Sequence, residues 1–204
     1  MSNFTDIRNM LAIPSAYSLF APLVGGTARA TYVNEYIRPS EHSRILDIGC
    51  GPGDILEYLP VSIEYFGFDV DEKYIEAAKK HFGDRGIFLC RKLNKQAIGE
   101  FSMFDIVLAK GVLHHLEDEE AVYLFQVARS AMKPTGRLVT LDGCFVAGQS
   151  PIARYLVARD RGSHVRTEAQ YTALASKVFP SIKTSIRDDL MRIPYTHIIM
   201  ECTP

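Results

Sequence analysis

Arg44-Ile45-Leu46-Asp47-Ile48-Gly49-Cys50-Gly51-Pro52-Gly53-Asp54 is the stretch on which the reading of this chain turns. A short run, Arg44–Ile48, passes without a spacer into glycines set two apart. That order predicts a strand, a tight turn and the start of a helix. Bare backbone at Gly49 and Gly51 lets such a turn lie flat against a ligand. Asp47, just before the turn, places a fixed negative charge where it can orient a cationic group. Together these parts make a nucleotide-type binding edge.

Three ligand readings compete for the turn. A dinucleotide fingerprint needs a third glycine three residues after the second, so that helix and strand pack closely around pyrophosphate. Here that place holds Asp54, which would repel a pyrophosphate. A phosphate-binding P-loop needs Gly-Lys-Ser/Thr, which is missing. The remaining pattern, D-x-G-x-G-x-G, suits a ligand without phosphates and with a cationic end. S-adenosylmethionine (SAM), with its ammonium and sulfonium, is such a ligand. A glycine-rich turn that binds nothing is the plain alternative.

The next predicted strand, 64–69, ends Phe66-Gly67-Phe68-Asp69. In a doubly wound sheet Asp69 stands beside the first strand's tip, where it can accept both ribose hydroxyls. Asp71 is better placed to cap the following helix, 72–82, which leaves Asp69 for a ligand. Nicotinamide sites use the same device, so Asp69 supports an adenosine ligand without choosing the cofactor.

The chain of 204 residues is 47% apolar and 23% charged, which fits a globular domain with a sizeable core. Its formal net charge of −1 argues against a nucleic-acid binder that works by bulk electrostatics. No apolar run is long enough to span a bilayer, and the N-terminus lacks a signal pattern. Cys50, Cys90, Cys144 and Cys202 form no CxxC or CxxH pair, the usage of a reduced, cytoplasmic protein with neither disulfides nor zinc.

Further strands are predicted at 87–90, 104–109 and 137–141. Helices are predicted at 53–59 and 117–132, the latter stopped by Lys133-Pro134-Thr135-Gly136. Helices at 152–159, capped by Ser150, and 168–178, capped by Thr167, follow. Strands at 181–187 and 196–202 have no room for a helix between them and read as an antiparallel pair. The first forty residues hold a helix-like piece at 17–23, a Gly25-Gly26 hinge and a second helix to Ile37, expected over the sheet's ligand edge. Strand–helix alternation of this kind predicts an α/β, doubly wound sheet.

The motifs taken in order resemble the class I SAM-dependent methyltransferases. They are Leu46-Asp47-Ile48-Gly49-Cys50-Gly51-Pro52-Gly53, Gly67-Phe68-Asp69, Phe104-Asp105-Ile106-Val107, Val112-Leu113-His114-His115-Leu116 and, after Lys133-Pro134-Thr135-Gly136, Leu138-Val139. The likeness is to the small-molecule branch with L-H-H-L after the fourth strand, and it covers residues 43–141. It implies a Rossmann-like, seven-stranded sheet, mostly parallel with an antiparallel C-terminal edge. It also implies one domain: 1–40 a helical lid, 43–142 the SAM core, 143–180 acceptor-covering helices and 181–204 the final strand pair. Carried over residue by residue, the backbone of Gly49, Cys50 and Gly51 would meet the methionine part, and Asp47 its ammonium. Asp69 would take the ribose hydroxyls, with Val70 on adenine and the backbone of Ala109 and Lys110 along the methionine end. The acidic residue usual after the third strand is replaced by Lys92, which cannot accept a hydrogen bond. Backbone near Lys92 and Leu93 would then have to serve adenine.

His114 and His115 follow the fourth strand at the ligand edge, where a neutral imidazole could take a proton from an acceptor. Of the two, His115 is slightly favoured; a loop-tying role is the alternative. Asp142, ending the fifth strand, is a further candidate base or anchor. Arg154, Arg159, Arg161, His164 and Arg166 gather in the acceptor region and suit a carboxylate or phosphate. Arg154 and Arg161 would share a helix face if the helix lasts that long. The alternative is a solvated face paired with Asp160 and Glu168. Tyr17 and Phe20 could form a lid with the hinge. The expected activity is methyl transfer to O or N of a small molecule, by a monomer or a homodimer joined through the edge at 191–196. A SAM-binding protein without turnover and a nicotinamide-dependent oxidoreductase are the alternatives. A nucleic-acid methyltransferase is disfavoured by charge and by the lack of an N/D-P-P-Y/F motif.

Overall fold

The computed structural model describes residues 28–160 and 162–204, and at Lys95 the backbone only. Strands β1 (Arg44–Ile48), β2 (Glu64–Asp69), β3 (Ile87–Cys90), β4 (Phe104–Lys110), β5 (Met132–Phe145), β7 (Ser181–Arg187) and β8 (His197–Thr203) form one sheet in the order β3-β2-β1-β4-β5-β8-β7. A two-residue strand, β6 (Arg166–Thr167), pairs with the end of β5. The first five strands are parallel. β8 runs antiparallel to both β5 and β7, so the reversed strand lies one in from the edge. β1 sits where the strand order reverses, the switch point at which open α/β sheets bind ligands beyond their carboxyl ends.

Alternation along the strands sorts the side chains to the two faces. Leu46, Phe66, Phe68 and Val107 face a core closed by α3 (Lys95–Ile98), α4 (Asp118–Ala131) and α6 (Glu168–Ala175). Ile45, Tyr65, Ile106 and Leu108 face a second core, under α1 (Ala28–Tyr32), a π turn at Val33–Ile37 and α2 (Glu72–Phe82). Asp47 falls in step with the second face, which directs its carboxyl beneath the turn. The helix predicted at 53–59 is a 3₁₀ segment, Asp54–Tyr58.

β5 is longer than its predicted five residues. Met132 pairs with Phe104, Lys133-Pro134-Thr135-Gly136 is accommodated by a register shift, and pairing resumes at Arg137 opposite Ile106. The turn signal was therefore real, and it interrupts a strand instead of preceding one.

Of the N-terminal region expected over the ligand edge, the described part packs along a sheet face, with Arg29 paired to Asp54 at 2.8 Å. Tyr32 Oη donates to Val139 O (3.2 Å), and Arg137 donates to the carbonyls of Tyr36 and Ile37. The segment at 28–37 thus crosses a sheet face toward the opposite edge; Tyr17, Phe20 and the Gly25-Gly26 hinge lie outside the described residues. The edge at 191–196 is not exposed throughout, since Tyr195 and Thr196 are buried. Among the described residues no helix is long and apolar enough to cross a membrane.

Candidate active site

The turn after β1 is built on left-handed backbone at Gly49 (φ +71°) and Gly51 (φ +55°), where a side chain would be strained. Gly49 N and Cys50 N donate to Phe68 O at 2.8 and 3.0 Å, pinning the turn to the end of β2. Gly51 N donates to Asp69 Oδ2 (2.8 Å), and Asp71 N to Asp69 Oδ1 (2.9 Å). Asp69, which the sequence leaves for a ligand, thus already accepts two backbone N–H groups, and each oxygen keeps capacity for a further donor. Asp71 does cap α2, accepting from Lys73 N at 2.9 Å. Cys50 is buried with its sulfur toward Gly67, where an added Cβ would lie 2.8 Å from Sγ. Only its backbone is available to a ligand, and burial pushes the thiol well above its ordinary range.

Beneath the turn, Asp47 is 2% exposed. Its Oδ2 accepts from Tyr65 Oη (2.6 Å), and Oδ1 has no hydrogen-bond partner among the described residues. Burial raises the carboxyl to about 6 against the opposing Tyr65 bond and Lys110 charge, with Asp69 adding to the rise. A buried carboxyl oxygen left unpaired is costly, and a cationic ligand group would relieve it. Val70, beside Asp69, is 71% exposed, an apolar surface with little cover. Lys92 points outward to Glu120 (3.7 Å) and the Leu93 side chain is in the first core, so only backbone there can meet a ligand. Ala109 likewise faces the core, while Lys110 is half-buried at the end of β4.

The loop after β4 touches the turn: an added Cβ at Gly49 would lie 2.5 Å from Val112 Cγ2. It then forms a 3₁₀ turn, Leu113–His115, which sets His114 inward and His115 outward. His114, 7% exposed, places Nδ1 2.8 Å from Asp142 Oδ1, which also accepts from His114 N at 3.2 Å. His115, slightly favoured from the sequence, is exposed, and its ring lies 4.1 Å from that of His114. Burial disfavours the charged His114 ring, but the Asp142 hydrogen bond and charge, helped by Asp160, outweigh it and hold the ring above its ordinary value. Burial moves Asp142 upward in turn.

Three neighbours were missed in the sequence. Asp160 Oδ1 lies 3.9 Å from His114 Nε2, and Tyr195 Oη donates to Asp160 Oδ2. His197, buried and stacked 4.7 Å from Tyr195, is held down to about 4 by burial and is neutral. The antiparallel pairing of the last strands carried the signal, because it brings the start of β8 to the ligand end of β5.

The basic cluster divides. α5 spans Pro151–Ala158, and Arg161, expected to share a helix face with Arg154, lies outside the described residues. Arg154 lies over the Phe145 ring (5.3 Å) and Arg159 over Tyr155 (4.5 Å), both exposed. His164 is half-buried, and its N–H donates to His114 O (3.0 Å). Arg166 is buried and bonded within the protein, which removes it from the candidates for binding an acceptor.

Residues 46–138 match the family pattern described as "Methyltransferase domain". That match takes in the glycine turn, β2, β3 and β4, and over just under half of the chain it is a likeness to methyltransferases. A ubiquinone biosynthesis O-methyltransferase of Brucella anthropi is 34% identical over 68% of this chain and 60% of its own length. One from Rhodopseudomonas palustris is 36% identical over 59% and 50%. The chain thus spans about half to three-fifths of these curated relatives. A SAM-dependent methyltransferase structure from Archaeoglobus fulgidus shares the fold, with a TM-score of 0.69 at 18% identity, covering 92% of this chain and 99% of that one.

The cofactor this likeness implies is SAM, and the residues present fit it. The unpaired Asp47 oxygen suits an ammonium, and an added Cβ at Gly51 would meet nothing within 4 Å, so open space lies over the turn. A dinucleotide suits the site less well. Asp54 stands where the third glycine would be, and it is ion-paired with Arg29 at 2.8 Å.

Proposed function

We propose that this chain moves the SAM methyl group to a hydroxyl oxygen of a small molecule, with His114 taking the hydroxyl proton and Asp142 holding the ring. The observation that carries this is the 2.8 Å contact between His114 Nδ1 and Asp142 Oδ1, buried at the ligand end of the sheet. With the Nδ1 proton given to Asp142, Nε2 is the ring atom left to accept another. When bound, SAM supplies an electrophilic methyl group on a sulfonium. The protein's tasks are then alignment, exclusion of water and proton removal. On this reading Asp47 receives the ammonium, the backbone of Gly49–Gly51 and of Ala109 and Lys110 borders the methionine end, and Asp69 takes the ribose. Val70 and the backbone at Lys92 and Leu93 serve adenine, and residues 143–180 cover the acceptor within one domain.

Oxygen is favoured over nitrogen because a hydroxyl must lose its proton on methylation, whereas a neutral amine attacks with a free pair. The O-methyltransferase names of the relatives point the same way. An acidic acceptor would rest on Arg154 and His164, since Arg166 is engaged internally. The names also direct the first acceptors to try, phenols and hydroquinones.

The test is mass spectrometry of a phenol, hydroquinone and phenolic-acid panel incubated with SAM bearing a deuterated methyl group. Labelled methyl ether from wild type, and a fall of about 10²–10⁴-fold in its rate with His114→Gln, is the expected result. A second reading, SAM binding without turnover, draws on the depth of His114 and on Gly162, where an added Cβ would overlap the ring. Cofactor binding without any labelled product would favour it.

A further inference from the structure

We infer that Arg166 is a positioning residue for His114: one guanidinium, seated on β6, ties the segment after α5 to the loop that carries the imidazole. Arg166 is 6% exposed. Its Nη1 donates to Leu113 O (3.0 Å) and His164 O (2.9 Å), and its Nη2 to Leu116 O (2.7 Å). Nε and Nη2 reach Asp118 Oδ1, at 3.0 and 2.7 Å, in the first turn of α4. The carbonyls of Leu113 and Leu116 bracket His114 and His115, so the guanidinium grips the 3₁₀ turn from both ends.

The same residue is tied to the other half of the pair. Arg166 stands opposite Cys144 in the parallel β5–β6 ladder, two residues beyond Asp142. Its backbone is thus registered to the strand that carries Asp142, and its side chain to the loop that carries His114. The separation of the two is fixed through one residue. Contacts around it tighten the seat: His164 N donates to His114 O, and an added Cβ at Gly162 would overlap the His114 ring and carbonyl. Lysine could not do the same, because a single ammonium lacks the flat fork that spans four acceptors.

The role of His114 as proton acceptor rests on the function proposed above; the positioning does not, and it can be read without turnover. The groups facing His114 are Asp142 from β5, Asp160 after α5, His115 on its own loop and His197 from β8. The test follows the His114 ring protons by NMR against pH in wild type, Arg166→Lys and Asp118→Asn. Each protein is also melted and titrated with S-adenosylhomocysteine. In Arg166→Lys the His114 midpoint should fall by about one pH unit or more as the Asp142 contact loosens, with cofactor affinity kept within about threefold. Asp118→Asn, which keeps the three carbonyl bonds, should shift the midpoint in the same direction by less. A folded Arg166→Lys whose His114 titrates as in wild type would overturn the inference. If that variant does not fold, an unmoved midpoint in Asp118→Asn overturns it instead. A shifted midpoint together with full turnover by His114→Gln would sink the base reading and leave the positioning intact.

Discussion

At the scale of single residues, the role proposed for Asp47 sets stability against binding. Its folded value, about 6, lies above the ordinary 3.8, so the fold favours the protonated form. Its contribution to stability is therefore present below the unfolded value and lost as pH rises through about 6. At neutral pH the buried charge costs about 3 kcal/mol at most. Asp47→Asn should accordingly raise thermal stability at pH 7.5, by about 1–3 kcal/mol, while weakening binding of S-adenosylhomocysteine at least tenfold, or about 1.4 kcal/mol. Lower stability with unchanged affinity would show that the carboxylate is structural. On the function proposed above, His114 gives the pH dependence of turnover. It must be neutral to take a proton, and Asp142 holds it above the ordinary value, so the acid limb of the rate should lie above about 6.5. Asp142→Asn should move that limb downward, since burial alone disfavours the charged ring. A limb that stays put would assign it to another group. The positions of Asp47, Asp69 and the glycines around the turn were legible in the sequence because motif spacing reports backbone turns directly. Which of His114 and His115 is buried was not, because a 3₁₀ turn decides which of two neighbours faces inward.

At the scale of elements, two loops from strands distant in sequence meet at the switch point. Val112 seats against Gly49 and carries the contact from the glycine turn to the His114 loop. Gly49→Ala should destabilise the protein, through the left-handed backbone (roughly 1–2 kcal/mol) and through the clash with Val112. Val112→Ala in the same chain should recover the clash and leave the backbone cost, a non-additivity readable in denaturant melts. Purely additive effects would mean that the loops do not share a contact. Most strand positions followed from short apolar runs between turn signals, and α2 from its Asp71 cap and amphipathic face. β5 overran its predicted bounds because strand pairing with β4 resumes across the Lys133–Gly136 irregularity, a tertiary fact absent from the local pattern. Arg166 was misread as one of a cationic patch for the same reason. Three of its four acceptors are main-chain carbonyls, which leave no mark in a sequence.

At the scale of the molecule, parallel order places the ends of β1, β2, β4 and β5 along one edge, and antiparallel β8 brings Tyr195 and His197 to it from the far end of the chain. The glycine turn and the His114–Asp142 pair thus share an edge, and methyl transfer requires them to serve one bound cofactor. The most direct measurement is a crystal structure with S-adenosylhomocysteine bound. The expected result puts the ammonium on Asp47 Oδ1, the ribose hydroxyls on Asp69 and the sulfur facing His114 with room for an acceptor between them. A cofactor whose sulfur points away from His114, or one bound elsewhere than on the glycine turn, would contradict it.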